Sequence, residues 1–373
     1  MNSKYAPLFE PYDFRSGVQV KNRVVMAPMT NFSSNQDGTV SDAEVQYYAR
    51  RSGGVGMVIT ACTYVTPNGK GFHGEFAGDR DEMIPSLKKL ADAIKEQGAI
   101  AILQIFHGGR QVPPELVNGD VVSASAVPSE GDGKPVPREL SHEEVESIIR
   151  DFGETTRRAI EAGYDGVEIH GANGYLIQQF FSPHSNRRED EWGGSFDKRF
   201  AFPFAVVDEV KKVVAEHAKS SFMVGYRFSP EEAETPGITM ADTLELIDKL
   251  ADKDLDYLHV SLQDFWSVAR RGVDDSRPRI ALIQEKVGDR VPVIGVGSIH
   301  TADDALKAIE TGVQLIALGR EIIIDPDWVQ KVKEGKESEI VTKIDKSKQK
   351  ELVVPDPLWN AIIHTPGWFP GID

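Results

Sequence analysis

The chain has 373 residues, with 58 acidic against 42 basic side chains and a formal net charge of −16. That length can bury a large core, and that charge argues against a broad nucleic-acid or anionic-membrane surface while leaving room for one basic pocket. The single cysteine, Cys62, excludes intrachain disulfides, cysteine-ligated iron–sulfur clusters and multi-cysteine zinc sites, and it fits a reducing, cytoplasmic setting.

The chain opens with MNSKYAPLFEPYDF, which lacks the basic start and apolar run of a signal peptide. No later stretch approaches the ~18 apolar residues of a membrane span. Short runs rich in Val and Ile then recur. They are RVVMAPM from Arg23, GMVITACT from Gly56, AIAILQIF from Ala99 and DGVEIH from Asp165. SFMVGYRFS from Ser221, DYLHVS from Asp256, VPVIGVGS from Val291 and VQLIALGR from Val313 complete the set. Between them lie segments with apolar spacing near 3.6. The helix from Met83 is closed by Gly98. The helix from Ser141 opens with a Ser141/Glu144 capping box and ends at Gly163. TADDALKAIETG from Thr301 repeats the pattern up to Gly312.

Alternating strands and helices of this number predict an α/β fold, a parallel sheet closed as a (β/α)₈ TIM barrel. An open doubly wound sheet is the alternative. The Gly/Pro-rich stretch 107–140 is long for a connection and predicts a loop subdomain after the third strand, over the barrel mouth. The tail, 331–373, is charged and then aromatic and Pro-rich. A solvated helix is expected for its charged part, and its end is free to pack on the body or on another subunit.

Barrels of this kind carry their chemistry at the C-terminal ends of the strands. Those ends hold Met29 and Thr30, Ala61 and Cys62, Gln104, His170, Arg227, Ser261, Gly297 with Ser298, and Gly319 with Arg320. The last two pairs precede helices on the seventh and eighth strands, where small residues and an arginine suit a phosphate. GVGSIH is not a dinucleotide fingerprint, because the third glycine is missing and the motif comes late. No strand ends in lysine, no HExxH occurs, and GxSxG and GxxxxGK are absent. The remaining amides, Arg, His, Thr and Tyr bind a polar, planar group better than they do covalent work, which points to a cofactor. Taken alone, His170 is more simply a packed strand-end histidine, and Tyr175 a core residue. Arg227 alone reads equally as an ion-pair partner of Glu231 or Glu232, and His107 either lines the mouth or shapes the loop.

The stretch AGYDGVEIHGANGYLIQQFFSPHSNRREDEWGGSFDKR resembles the Old Yellow Enzyme family of FMN-dependent ene-reductases, especially its bacterial NADH-dependent flavin oxidoreductases. The resemblance extends from LFEPYDF to ALGREIIIDPDW. It implies one FMN-binding barrel domain over residues 1–373 with an N-terminal hairpin. It implies that Ala27, Pro28, Met29 and Thr30 lie along FMN, with Cys62 or Ala61 beside the ring. Gln104 would bond the pyrimidine, Arg227 would stabilise the anionic reduced flavin, and Gly297, Ser298, Gly319 and Arg320 would hold the phosphate. His170 and Asn173 would bind a substrate carbonyl oxygen, with Tyr175 as proton donor. The loop with Trp266, Arg270 and Arg271 would shape the substrate mouth. Phe32 stands there without the hydroxyl common in one branch, and Thr30 replaces that branch's cysteine. Trp192 replaces a common tyrosine. The ending TPGWFP keeps Gly367 and Trp368 but has Pro366 in place of an arginine that reaches a neighbouring subunit in some relatives.

The implied activity is hydride transfer from NADH or NADPH to the activated C=C bond of an enone-like small molecule, with no nucleic-acid or membrane partner. The alternatives are an NADH oxidase with another acceptor, a dihydrouridine synthase-like enzyme, which the charge opposes, and a flavin-binding protein without turnover. Preferred nicotinamide, substrate and oligomeric state are open at this level.

Overall fold

The computed structural model describes residues 2–372. Eight strands form the core: β1 (Val24–Met26), β2 (Met57–Ile59), β3 (Ile100–Phe106), β4 (Gly166–Gly171), β5 (Met223–Phe228), β6 (Tyr257–Val260), β7 (Val293–Val296) and β8 (Leu315–Leu318). Each pairs in parallel with the next, and β8 returns to β1 through Ile316↔Val24, so the ring has no edge. The open-sheet alternative is thereby excluded. Strands buried on both faces need no polar alternation, which is why they appear as continuous apolar runs.

The ring of helices comprises α1 (Asp42–Arg51), α2 (Ile84–Glu96), α3 (His142–Glu161), α4 (Leu176–Phe181), α5 (Ala201–His217), α6 (Met240–Ala251), α7 (Arg279–Val287), α8 (Ala302–Ile309) and α9 (Arg320–Ile324). The capping boxes expected at Ser141 and Thr301 form, and Ser41 and Thr239 add two more. Gly98, Gly163 and Gly312 have positive φ just past their helices, as the stop signals require.

A two-stranded antiparallel hairpin, Tyr12–Asp13 with Gln19–Val20, closes the N-terminal mouth. Its Phe14, Val18 and Val20 join Val25, Ile294 and Leu315 in one buried cluster inside the barrel. Residues 107–140 leave the barrel as an excursion with its own small cluster, Val112, Val117 and Val121. They include a short parallel pair, Val122–Ser123 with Arg138–Glu139. The charged part of the tail differs from expectation. Helix α10 (Trp328–Glu334) stops at Gly335, whose φ is +77°, and only two short helices follow, α11 (Gln349–Leu352) and α12 (Asp356–Ile363). The end of the tail packs back on the body, with Leu358, Ile362 and Phe369 buried.

The barrel interior is apolar towards β7, β8, β1 and β2, and polar towards β3–β6. That polar half needs space. At Gly225 a Cβ would stand 2.1 Å from Tyr257 Cζ, so only glycine lets the Tyr257 ring cross the interior. A Gly225→Ala variant is expected to lose about 1–3 kcal/mol or more in denaturant unfolding, because the ring has no free volume to retreat into.

Candidate active site

His170 ends β4 one rung from Arg227 on β5. Its Nδ1 accepts the Ala172 N–H at 3.2 Å, which leaves Nε2 as the donor. Burial, followed by the charge of Arg227, pushes the imidazolium down to about 3, so the ring works neutral. The chain then turns sharply at Asn173, with φ +57°, a conformation asparagine tolerates well. Asn173 Oδ1 accepts from Ser261 Oγ at 2.7 Å, and its backbone N–H donates to Ser229 Oγ at 2.8 Å. With the carbonyl end of the amide engaged, its Nδ2 end is the one free to donate. Tyr175 is the N-cap residue of α4. Its ring stands edge-on to Phe106 at 4.6 Å and to His170 at 5.1 Å. Burial raises its phenol well above the ordinary value, with Cys62 and Glu75 adding to the effect and Arg227 opposing it. The three side chains line one small cavity of about 60 Å³ with Thr30, Cys62, Gln104 and Arg227.

A larger cavity of about 660 Å³ opens beside it, within the range of small-ligand sites. Ala27, Pro28 and Met29 from β1 form one wall, and Arg227 lies between the two cavities. Gly297 (φ +136°) and Ser298 (φ +51°) turn the chain at the end of β7. Arg320 Nη2 donates to Ser298 Oγ at 3.2 Å, so the two predicted phosphate turns meet. A side chain on Gly319 would enter this cavity, its Cβ 3.3 Å from Met29 Sδ. Arg227 Nε is buried without a partner. An uncompensated guanidinium donor, two glycine turns and Arg320 around one cavity fit a planar group carrying a phosphate, as FMN does.

The sequence reading missed several residues of this region. Glu168, two positions before His170 and so on the same face of β4, is completely buried. It accepts from Gln104 Nε2 at 2.8 Å and Tyr257 Oη at 3.0 Å, and it pairs with His259 Nδ1 at 2.9 Å. Phe72 and Trp368 are also new. Phe72 lines the small cavity and Trp368 the large one, with Arg320 Nη1 donating to Trp368 O at 2.9 Å. The Gly-Trp of the tail therefore meets the chain's own cavity.

Glu75 is buried beside Cys62, its Oε2 accepting from the amides of Gly71 and Phe72. Burial raises its carboxyl to about 8. Burial likewise lifts the Cys62 thiol, with Glu75 next, so Cys62 is a poor nucleophile. A carboxyl raised on folding contributes stability that is full below its unfolded value, near 4.5, and lost as pH rises through the folded value, near 8. Glu75→Gln keeps an acceptor for the two amides and removes the titration. Its melting temperature is expected to gain on the parent steadily from pH 5 to pH 9.

Other predicted residues lie apart from the group. Trp266 packs on Phe265 and under Lys307 Nζ, 4.6 Å from its ring centre, and it lines neither cavity. Phe32 sits one ring behind the cavity, edge-on to Phe72 at 5.9 Å. His107 shapes the loop: Nδ1 accepts from Gly109 N and Nε2 faces Asn68 Oδ1. Arg271 is tied to Thr235 Oγ1 and to the carbonyls of Glu232 and Glu234, so it holds a loop instead of a ligand. Glu231 pairs with Arg279, and Glu232 binds Gln178 and Ser182, so Arg227 has neither as an ion-pair partner. Trp192 is a packing residue whose Nε1 donates to His142.

Among the described residues, no helix is long and apolar enough to cross a membrane, and no cluster of His, Cys, Asp and Glu could hold a metal ion. A family described as NADH:flavin oxidoreductase / NADH oxidase matches residues 7–339. The probable NADH-dependent flavin oxidoreductase YqiG of Bacillus subtilis is 59% identical, over 99% of each chain. The NADH:fumarate oxidoreductase of Klebsiella pneumoniae is 45% identical over 94% of this chain, which spans only 38% of that protein. Among solved structures, the Old Yellow Enzyme homologue of Zymomonas mobilis superposes with a TM-score of 0.78 at 25% identity, covering 95% of this chain and 98% of that one. A match over nearly the whole chain, with a barrel and cavity that suit FMN, places this protein in the NADH:flavin oxidoreductase / NADH oxidase family of the Old Yellow Enzyme type, as an FMN-dependent oxidoreductase using NADH or NADPH.

Proposed function

We propose that the enzyme reduces the activated C=C bond of an α,β-unsaturated carbonyl compound. The observation that carries this reading is the pair of donors beside one tyrosine. Neutral His170 offers Nε2–H, and Asn173, its Oδ1 engaged by Ser261, offers Nδ2–H. FMN, when bound, supplies the hydride that it takes from NADH or NADPH. His170 and Asn173 bind the carbonyl oxygen and stabilise the negative charge that grows there as the β carbon is reduced. Tyr175 holds the proton for the α carbon on Oη, and its raised pKa keeps that proton in place until a strongly basic enolate faces it. Phe72 and Phe106 pack around Tyr175 and limit water at that face.

The test is the visible spectrum of the purified holoenzyme under anaerobic NADH, followed by 2-cyclohexenone. Bands that bleach and then return with the enone are expected. Bands that bleach and return only with oxygen would replace this reading by an NADH oxidase.

A further inference from the structure

Beneath the two cavities lies a charge that the proposed reaction does not use. Glu168 is the only carboxylate among the inward side chains of β3–β6 described above. It is surrounded by donors: the Gln104 amide, the Tyr257 hydroxyl and the His259 ring, at 2.8, 3.0 and 2.9 Å. Neither Glu168 nor His259 is exposed at all. The strand register explains the grouping. Gln104 on β3 is level with Glu168 on β4, which is level with Gly225 on β5 and then Tyr257 on β6. Gly225 leaves the gap through which the Tyr257 hydroxyl reaches across.

Two consequences follow for the cofactor cavity. First, the Gln104 amide loses its freedom to flip. One N–H is committed to Glu168, so its Oε1 is turned away from the carboxylate, as an acceptor. Second, Arg227 stands one rung above Glu168, level with His170 and His259, with its Nε unpartnered. The two opposite charges are close enough to act on each other across a dry interior. Burial opposes ionisation of Glu168, but His259, Arg227 and Gln104 outweigh it and hold the carboxyl below its ordinary value. Burial in turn lowers Arg227, and Glu168 is the first group to support its charge.

We propose that Glu168 is a positioning residue of the cofactor site, whose buried carboxylate fixes the Gln104 amide and offsets Arg227, and so sets the reduction potential of bound FMN. This rests on the assignment of FMN to the cavity but not on the identity of the alkene substrate. The direction follows from charge. Reduction adds negative charge to the cofactor, and a fixed anion below it opposes that gain. Arg227 favours the gain, and Glu168 moderates it. Removing the carboxylate therefore makes the potential more positive.

The experiment is spectroelectrochemical titration of the FMN-loaded parent, Glu168→Gln and Glu168→Asp. Glu168→Gln should raise the equilibrium constant for two-electron reduction by at least about tenfold, which is about +30 mV. Glu168→Asp keeps the charge and should stay near the parent. A purely structural role would lower the melting temperature of both variants and leave both potentials unchanged, which would overturn the proposal. Tyr257→Phe covers the case in which Glu168→Gln takes up no FMN. It withdraws one hydrogen bond but leaves the anion, so the potential should move negative, and an unchanged potential there also overturns the proposal. A parent protein that binds no FMN would overturn it together with the cofactor assignment. Failure to reduce any enone would leave the expected shift intact, and so tells the two readings apart.

Discussion

The Tyr175→Phe variant reduces 2-cyclohexenone about 10²–10⁴-fold more slowly than the parent, the usual contribution of a positioned general acid. Stopped-flow absorbance resolves where the loss falls. It falls on the return of the flavin bands with the enone, and far less on their bleaching with NADH. The packing makes the substitution informative. The Tyr175 ring is held edge-on by Phe106 at 4.6 Å, by His170 at 5.1 Å and by Phe72 at 6.2 Å. Phenylalanine keeps those contacts, so the variant loses the hydroxyl and little else. The chemistry is selective in the same way. Burial raises the phenol, so it is protonated at every working pH and gives up its proton only to a strong base. A hydride acceptor that has become an enolate is such a base, whereas nothing in reduction by NADH calls for a proton at that face. An unchanged rate with the enone would remove Tyr175 from the reaction and transfer its role to water.

The barrel could be read from the chain because its determinants are local. Ile102, Val167, Val224 and Ile294 belong to runs buried on both faces, and helix limits are written in Ser141 with Glu144 and in Gly163. Once strand ends are known, the barrel rule collects His170, Arg227, Gly297 and Arg320 at one mouth. What escaped was every feature made by side chains that are distant in the chain. Glu168 and His259 are 91 residues apart, and Asn173 and Ser261 are 88 apart. Their meeting depends on the register of three strands, which hydrophobic pattern alone does not give. Trp368 reaches Arg320 because the tail packs on the body, a choice made by burial of Leu358, Ile362 and Phe369. The expected tail helix failed for a local reason that the chain does show. Gly335 follows Lys331 and Lys333 as an ordinary helix stop, and the charge pattern masked it. The placement of Trp266 was inferred from its loop, yet a neighbouring lysine and Phe265 hold the ring away from the cavity.

His170→Ala and Asn173→Ala are each expected to lower kcat/KM for the enone by about 10²–10³-fold, the scale for one donor of an oxyanion hole. The double variant should lose less than the product of the two, since both donors serve one oxygen. Steady-state kinetics over pH 5–8 provides a second check. His170 titrates near 3 and stays neutral across that window, so the parent profile carries no histidine step there. A rate that fell as pH rose through 6–7 would mean that an imidazolium is the donor. Asn173 permits a sharper comparison, because its two ends have different tasks. Its Oδ1 is held by Ser261 Oγ at 2.7 Å, and the donor end is free. Asn173→Asp keeps the size, the turn at φ +57° and the bond from Ser261, but it turns an anionic oxygen towards the place where negative charge develops. It should therefore be slower than Asn173→Ala, which merely removes the donor. If aspartate proved the faster of the two, the amide would serve to hold the turn, and His170 alone would polarise the carbonyl.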